Sequence, residues 1–291
     1  MTFRNRLLAG LVLSALTLVP GVALAWSASQ EPTAPQAAAR PRVNINVQPE
    51  GPLPAEREAD AAYNAAMHAA GTGGFAALQA HVPALTEAMR GAPARYPAIE
   101  EIPGGWLIRA DDREEIMALA GAVGDIEAGR GGGDVKVVSR PNVYPNIAFL
   151  LGSAAVERRD FAAAHEVLDR GLALQPLDRF LLNEKLVVLH AERKWEEAYL
   201  LAKTALTSGD PQIEADPGSL QRRLGYTLIE LGRLHEARVA YEESLVSDPG
   251  NATAIAELQV IRDLEAGHQL SGDGIQITSP YMPVQPAPRA D

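Results

Sequence analysis

Six histidines, His68, His81, His165, His190, His235 and His268, are the chain's richest source of ligands or bases. A zinc peptidase needs two of them a helical turn apart with a glutamate between, because that spacing puts two ligands and a base on one face. Neither His165-Glu166 nor His235-Glu236 continues to a second histidine. No Gly-x-Ser-x-Gly elbow raises a serine nucleophile. The chain has no cysteine, which removes thiolate catalysis, thiolate-held metals and disulfides together. The pairs Glu100-Glu101 and Glu196-Glu197 have the spacing of solvated faces, and the loop acids Asp210, Glu214 and Asp216 match no calcium loop. Gly131-Gly132-Gly133 lacks the Lys-Ser/Thr of a phosphate loop, so a hinge is expected there. A net charge of −11 over 291 residues repels a polyanion, which excludes general nucleic-acid binding. No catalytic residue, metal or cofactor is therefore expected, and a hydrolase with its site in 95–140 is only a distant alternative.

The two ends read as non-globular. Arg4 and Arg6, the apolar run from Leu7 to Val19, Pro20-Gly21 and then Ala23-Leu24-Ala25 have the three-part layout of a secretory signal peptide over 1–25, with cleavage expected after Ala25. The periplasm is the expected location, with no membrane insertion after cleavage. Residues 26–56 hold six prolines and few large apolar side chains, so a disordered Pro/Ala-rich linker is expected. The tail 268–291, with Pro280, Pro283, Pro286 and Pro288, reads the same way.

Between these ends a pattern repeats. Leu151-Gly152, Phe161, Ala164, Leu168, Gly171-Leu172 and Pro176 return as Leu224-Gly225, Leu234, Ala237, Tyr241, Ser244-Leu245 and Pro249, and Trp195, Ala198, Ala202 and Ala205-Leu206 form a copy between them. Ala198 follows Ala164 by 34 residues, while the step to Ala237 is 39, with the surplus in the loop Gly209–Pro217. Small residues at Gly225, Ala237 and Ser244 let two antiparallel helices approach, and Leu228, Leu231, Leu234, Tyr241 and Leu245 supply the apolar stripe. This pattern resembles the tetratricopeptide repeat (TPR) family, in an exported bacterial type. The resemblance implies a mainly α fold, an α-α superhelix (TPR-like solenoid); a small mixed α/β element N-terminal to it is expected from the residue patterns there, which resemble no family. Three repeats fall at 145–178, 179–212 and 218–251, within 143–251, and a capping helix follows at 252–267. Lys185-Leu186 stands where Leu-Gly is usual, which predicts a wider helix contact in the middle copy.

The region 57–142 reads as a helical hairpin plus the small α/β element. Arg57–Ala70 and Phe75–Arg90 have helical patterning, with Pro83 expected to kink or break the second. Whether they form a degenerate repeat or a simple hairpin stays open. Two strands about Pro103-Gly104-Gly105, a helix from Asp111 to Val123 capped by Asp111 or Asp112, and a third strand at Val135–Val138 complete the element.

A solenoid's inner face is a preformed groove. By transfer of family positions, it presents Asn146, Phe149, Ser153 and Val156 from the first copy, Asn183, Val187 and His190 from the second, and Arg222, Tyr226 and Ile229 from the third. Family members that clamp a terminal carboxylate use lysines, asparagines and one arginine. Here Phe149, Ser153, Glu184 and Ser219 occupy four of those positions and only Arg223 agrees. The resemblance and the leader together lead to the expectation of a non-catalytic periplasmic scaffold that binds a protein or peptide partner, another envelope protein, through an apolar groove. A self-assembling structural envelope subunit, a homo-oligomer, is the alternative.

Overall fold

The computed structural model describes residues 41–266. The expected signal peptide, the linker as far as residue 40, and the tail lie outside the described residues. Within them, no helix is long and apolar enough to cross a membrane.

The first element corrects an expectation. Residues 43–49, assigned above to a disordered linker, form strand β1 (Val43–Pro49). The reason is local: Val43, Ile45 and Val47 alternate with Asn44, Asn46 and Gln48, and the apolar set packs into a core. Prolines at 41 and 49 only bracket that alternation. A 3-10 turn at Pro54–Glu56 leads into α1 (Arg57–Gln79), whose helical geometry is broken at Gly74, where φ is 63°. Helix α2 (Val82–Arg90) carries Pro83 in its first turn, where a missing N–H costs nothing. The break therefore falls just ahead of the proline.

Strands β2 (Ile99–Ile102) and β3 (Gly105–Arg109) form the antiparallel hairpin read from the sequence. Helix α3 (Arg113–Gly129) starts on Asp112, whose carboxylate accepts the Glu115 N–H at 2.8 Å. Strand β4 (Gly133–Arg140) then runs parallel to both β3 and β1, giving a sheet of order β1-β4-β3-β2. Helix α3 covers one face through Leu119, Ala120 and Val123 against Trp106, Ile108, Val135 and Val137. The triple glycine, expected as a hinge, forms the turn from α3 into β4: all three residues have positive φ, and a Cβ on Gly132 would lie 2.5 Å from the Arg42 carbonyl oxygen.

Three helical hairpins follow: α4 (Val143–Glu157) with α5 (Phe161–Leu174), α6 (Arg179–Ala191) with α7 (Trp195–Leu206), and, after the short helix α8 (Pro211–Ala215), α9 (Gly218–Glu230) with α10 (Leu234–Ser247). Their turns repeat the same device. Arg159, Arg193 and Gly232 have φ of 59°, 58° and 72°, and the N–H of the following residue bonds back to the carbonyl of Ala155, Leu189 and Leu228 respectively. Glycines let two hairpins close tightly: a Cβ on Gly152 would meet Leu168 at 2.5 Å, and one on Gly225 would meet Tyr241 at 2.6 Å. Helices α6 and α7, with Leu186 at the corresponding place, approach less closely. Helix α11 (Ala252–Glu265), capped by Asn251, closes the stack with Ala254 and Ile261 buried. At the other end α1 and α2 pack on α4, so that Ala66, Leu78, Leu85 and Met89 share a core with Ile147, Ala148 and Leu168.

Candidate functional site

Helices α4, α6 and α9 stand side by side and carry the expected groove residues. One lip of this wall is fixed by the α/β element. Asp111 accepts the Asn142 N–H at 3.1 Å and the Asn146 amide at 2.7 Å. Buried Arg179, in the first turn of α6, reaches Asp216 at 2.5 Å, Asp112 at 3.2 Å and Glu115 at 3.5 Å. Burial pushes the Glu115 carboxyl up to about 7, with Arg179 pulling against it. Asp178 caps α6 by accepting the Phe180 and Leu181 N–H groups at 3.0 and 2.9 Å. Burial still raises its carboxyl to about 6. Asn142 and Gln175 exchange amide hydrogen bonds of 3.1 and 2.7 Å beside it. Helix α8, inside what the sequence presented as a loop, packs on α3 with Ile213 buried, and Asp210 caps it.

The middle of the wall is apolar and aromatic. Phe149 and Phe180 sit with ring centroids 6.1 Å apart, and the Arg179 guanidinium lies 4.5 Å from the Phe180 ring centre. Ser153 hydrogen-bonds the Glu184 carboxyl, which burial nevertheless raises and Arg223 partly offsets. Val156, Val187 and Ile229 are half-buried, as are Phe149 and Tyr226. At the far end Tyr226, His190 and Trp195 make an aromatic cluster, with His190 5.1 Å from Tyr226 and 5.6 Å from Trp195, and Trp195 edge-on to Tyr226 at 5.9 Å.

The wall corrects two expected groove positions. Asn183 and His190 are buried between helices rather than offered to a ligand. Asn183 donates to the Arg179 carbonyl at 2.8 Å and to Ser219 at 2.9 Å. The Thr227 hydroxyl donates to the Arg223 carbonyl, so its oxygen accepts from His190 Nε2 at 2.8 Å. Burial brings the His190 imidazole down to about 3, leaving it neutral. Both side chains fill polar needs of adjacent helices that a single-helix pattern does not reveal. Asn146 is half-buried and engaged with Asp111. Arg222 is half-buried on α9. The expected list omitted Phe180 and Trp195. Phe180 follows Asn146 by 34 residues, and Trp195 follows Phe161 by the same step, so the period alone could have placed both.

The surface is thus an apolar and aromatic strip whose polar neighbours are engaged with one another. No group of three His, Cys, Asp or Glu residues able to hold a metal occurs among the described residues. A second concavity, about 510 Å³ on the sheet face away from α3, is lined by Glu50, Glu100, Arg109, Lys136 and Arg140 among others. Its arginines are engaged: Arg109 with Glu100 at 3.1 Å and the Pro97 carbonyl at 2.7 Å, Arg140 with Glu50 and the Gly51 carbonyl.

The fold is thus a helical solenoid of TPR-like hairpins with a small four-stranded mixed element packed at its N-terminal side. No protein-family model matches the chain, and no curated protein does. Among solved structures, the chain is similar to the first TPR of Spaghetti (RPAP3) bound to HSP90 peptide SRMEEVD, at 20% identity over 42% of this chain and 94% of that one, with a TM-score of 0.38.

Proposed function

We propose that this chain is a non-catalytic protein-interaction scaffold, exported to the bacterial periplasm, that takes an apolar peptide segment of another envelope protein on the wall formed by α4, α6 and α9. The observation that carries this reading is the strip of partly buried Phe149, Val187 and Tyr226 on three successive first helices, each with one edge left accessible. A contiguous row of apolar and aromatic side chains is what an interface uses, and aromatic residues serve well as its anchors. A terminal carboxylate is a poor ligand here, because Glu184 stands beside Arg223 and supplies the negative charge internally. The leader-like sequence at 1–25 supports export, and the missing cysteines are compatible with an oxidising compartment. Selecting peptides from a random display library on the purified protein tests the reading. Enriched peptides should share apolar or aromatic anchors and lose binding to Tyr226→Ala. Enrichment of acidic C-termini, or no enrichment, contradicts it.

A further inference from the structure

The two edges of the sheet are built differently. Strand β2 is four residues long and carries Glu100 and Glu101, which deter a neighbouring chain. Strand β1 is seven residues long with no charge from Val43 to Pro49, and it pairs only with β4 among the described residues. The Gly133 N–H bonds to the Arg42 carbonyl, and the Glu50 N–H bonds to the Ser139 carbonyl. Even-numbered residues therefore face β4, and strand alternation turns the N–H and C=O groups of Val43, Ile45 and Val47 outward. These are the groups an added strand would use.

The flank of α3 above this edge is correspondingly open. A Cβ on Gly124 would lie 2.9 Å from Ile45 Cδ1, which fixes this side of α3 over β1. Met117 and Gly121 precede Gly124 by seven and three residues and share its flank. Met117 is 64% exposed, and a Cβ on Gly121 would meet nothing within 4 Å. Side chains of one further strand would find an apolar roof there.

We propose that β1 is a pairing edge for a second copy of this chain, joining two sheets across a two-fold axis with the two β1 strands antiparallel and Ile45 opposite Ile45. The strand is self-complementary in that register. Val43 falls opposite Val47 on the α3 side, and on the other side Asn46 falls opposite Asn44, whose amide donates to Asp134 Oδ1 of its own sheet at 2.8 Å, so apolar meets apolar and uncharged polar meets uncharged polar. Every outward N–H from Val43 to Val47 gains an acceptor, and Pro49, which has none to give, lies outside the paired window. Centring on Asn46 instead would set Val43 against Pro49 and leave a bond unmade. The uncharged strand also avoids like-charge contact between copies whose net charge is −11 each.

Sedimentation velocity of the full chain tests this, using exposed side chains only. The wild type should sediment as a dimer. The double variant Asn44→Lys with Asn46→Lys sets lysine against lysine twice and should sediment at half that mass while keeping the circular dichroism spectrum of the wild type, which separates loss of pairing from loss of the fold. Asn44→Lys with Asn46→Glu sets lysine against glutamate and should return the dimer. A monomeric wild type, a lysine pair that stays dimeric, or a lysine-glutamate pair that stays monomeric overturns the proposal.

Discussion

Replacing Gly225 by alanine sets two opposed effects against each other on one helix. In a helix interior the change should help by up to about 1 kcal/mol through backbone propensity alone. The new Cβ, however, would lie 2.6, 2.7 and 2.9 Å from three atoms of the Tyr241 ring. Normal carbon contacts need roughly 3.5–4.0 Å, so ring or helix must move by about 1 Å. The ring has little room, since Tyr241 is 1% exposed and packed with Leu228, Ala237 and Ala254. Overpacking of this kind costs about 1–3 kcal/mol, leaving a net loss of about 1–2 kcal/mol. For a domain of this size that lowers Tm by about 2–8 °C. Gly71→Ala, in α1 with nothing within 4 Å of its Cβ position, should raise Tm by about 2–4 °C on the propensity term. Thermal unfolding followed by circular dichroism reads both. If Gly225→Ala is as stabilising as Gly71→Ala, the close crossing of α9 and α10 is wrong.

Further outcomes follow from the buried polar groups. Thr227→Val removes the hydroxyl that accepts from His190 and should cost about 1–3 kcal/mol in a denaturant titration, since the imidazole is left without its partner. Burial raises the Glu257 carboxyl from 4.5 to about 7. Its folded form therefore favours the proton, and its contribution is fully present below about pH 4.5 and is lost as pH rises through about 7. Glu257→Gln should abolish that part of the pH dependence and be more stable than wild type above pH 7, as denaturation midpoints across the range would show. Arg179→Met removes the cation that faces Asp112, Glu115 and Asp216. Leaving Glu115 buried without it should cost about 2 kcal/mol or more and make proteolytic cleavage around α3 and α8 faster.

The repeats were legible because the constraint that makes them is local. Gly152 and Gly225 mark where helices cross, and their partners Leu168 and Tyr241 lie at fixed offsets. The sheet hairpin and Asp112 cap were legible for the same reason. Strand β1 was hidden by averaging: a window rich in proline and alanine outweighed the five-residue alternation from Val43 to Val47. Asn183 and His190 were misplaced because their burial depends on Ser219 and Thr227, each more than a repeat away. Arg179 gave no local signal, since the acids that hold it come from α3 and from the end of α8.

The scaffold reading stands on one contrast within a single helix. Tyr226 is half-buried and faces the proposed ligand, while Leu228, two residues on, is 2% exposed in the core. With a fluorescent peptide obtained by display, Kd and Tm should be measured for wild type, Phe149→Ala, Tyr226→Ala and Leu228→Ala. Losing an anchor worth about 2 kcal/mol weakens binding roughly thirtyfold, so Phe149→Ala and Tyr226→Ala should raise Kd by that factor, with a smaller fall in Tm than Leu228→Ala because both rings are only partly buried. Leu228→Ala should lower Tm through about 2–5 kcal/mol of lost packing. Unaltered Kd for Phe149→Ala and Tyr226→Ala, accompanied by a collapse in Tm, would contradict the account and make those residues part of the core.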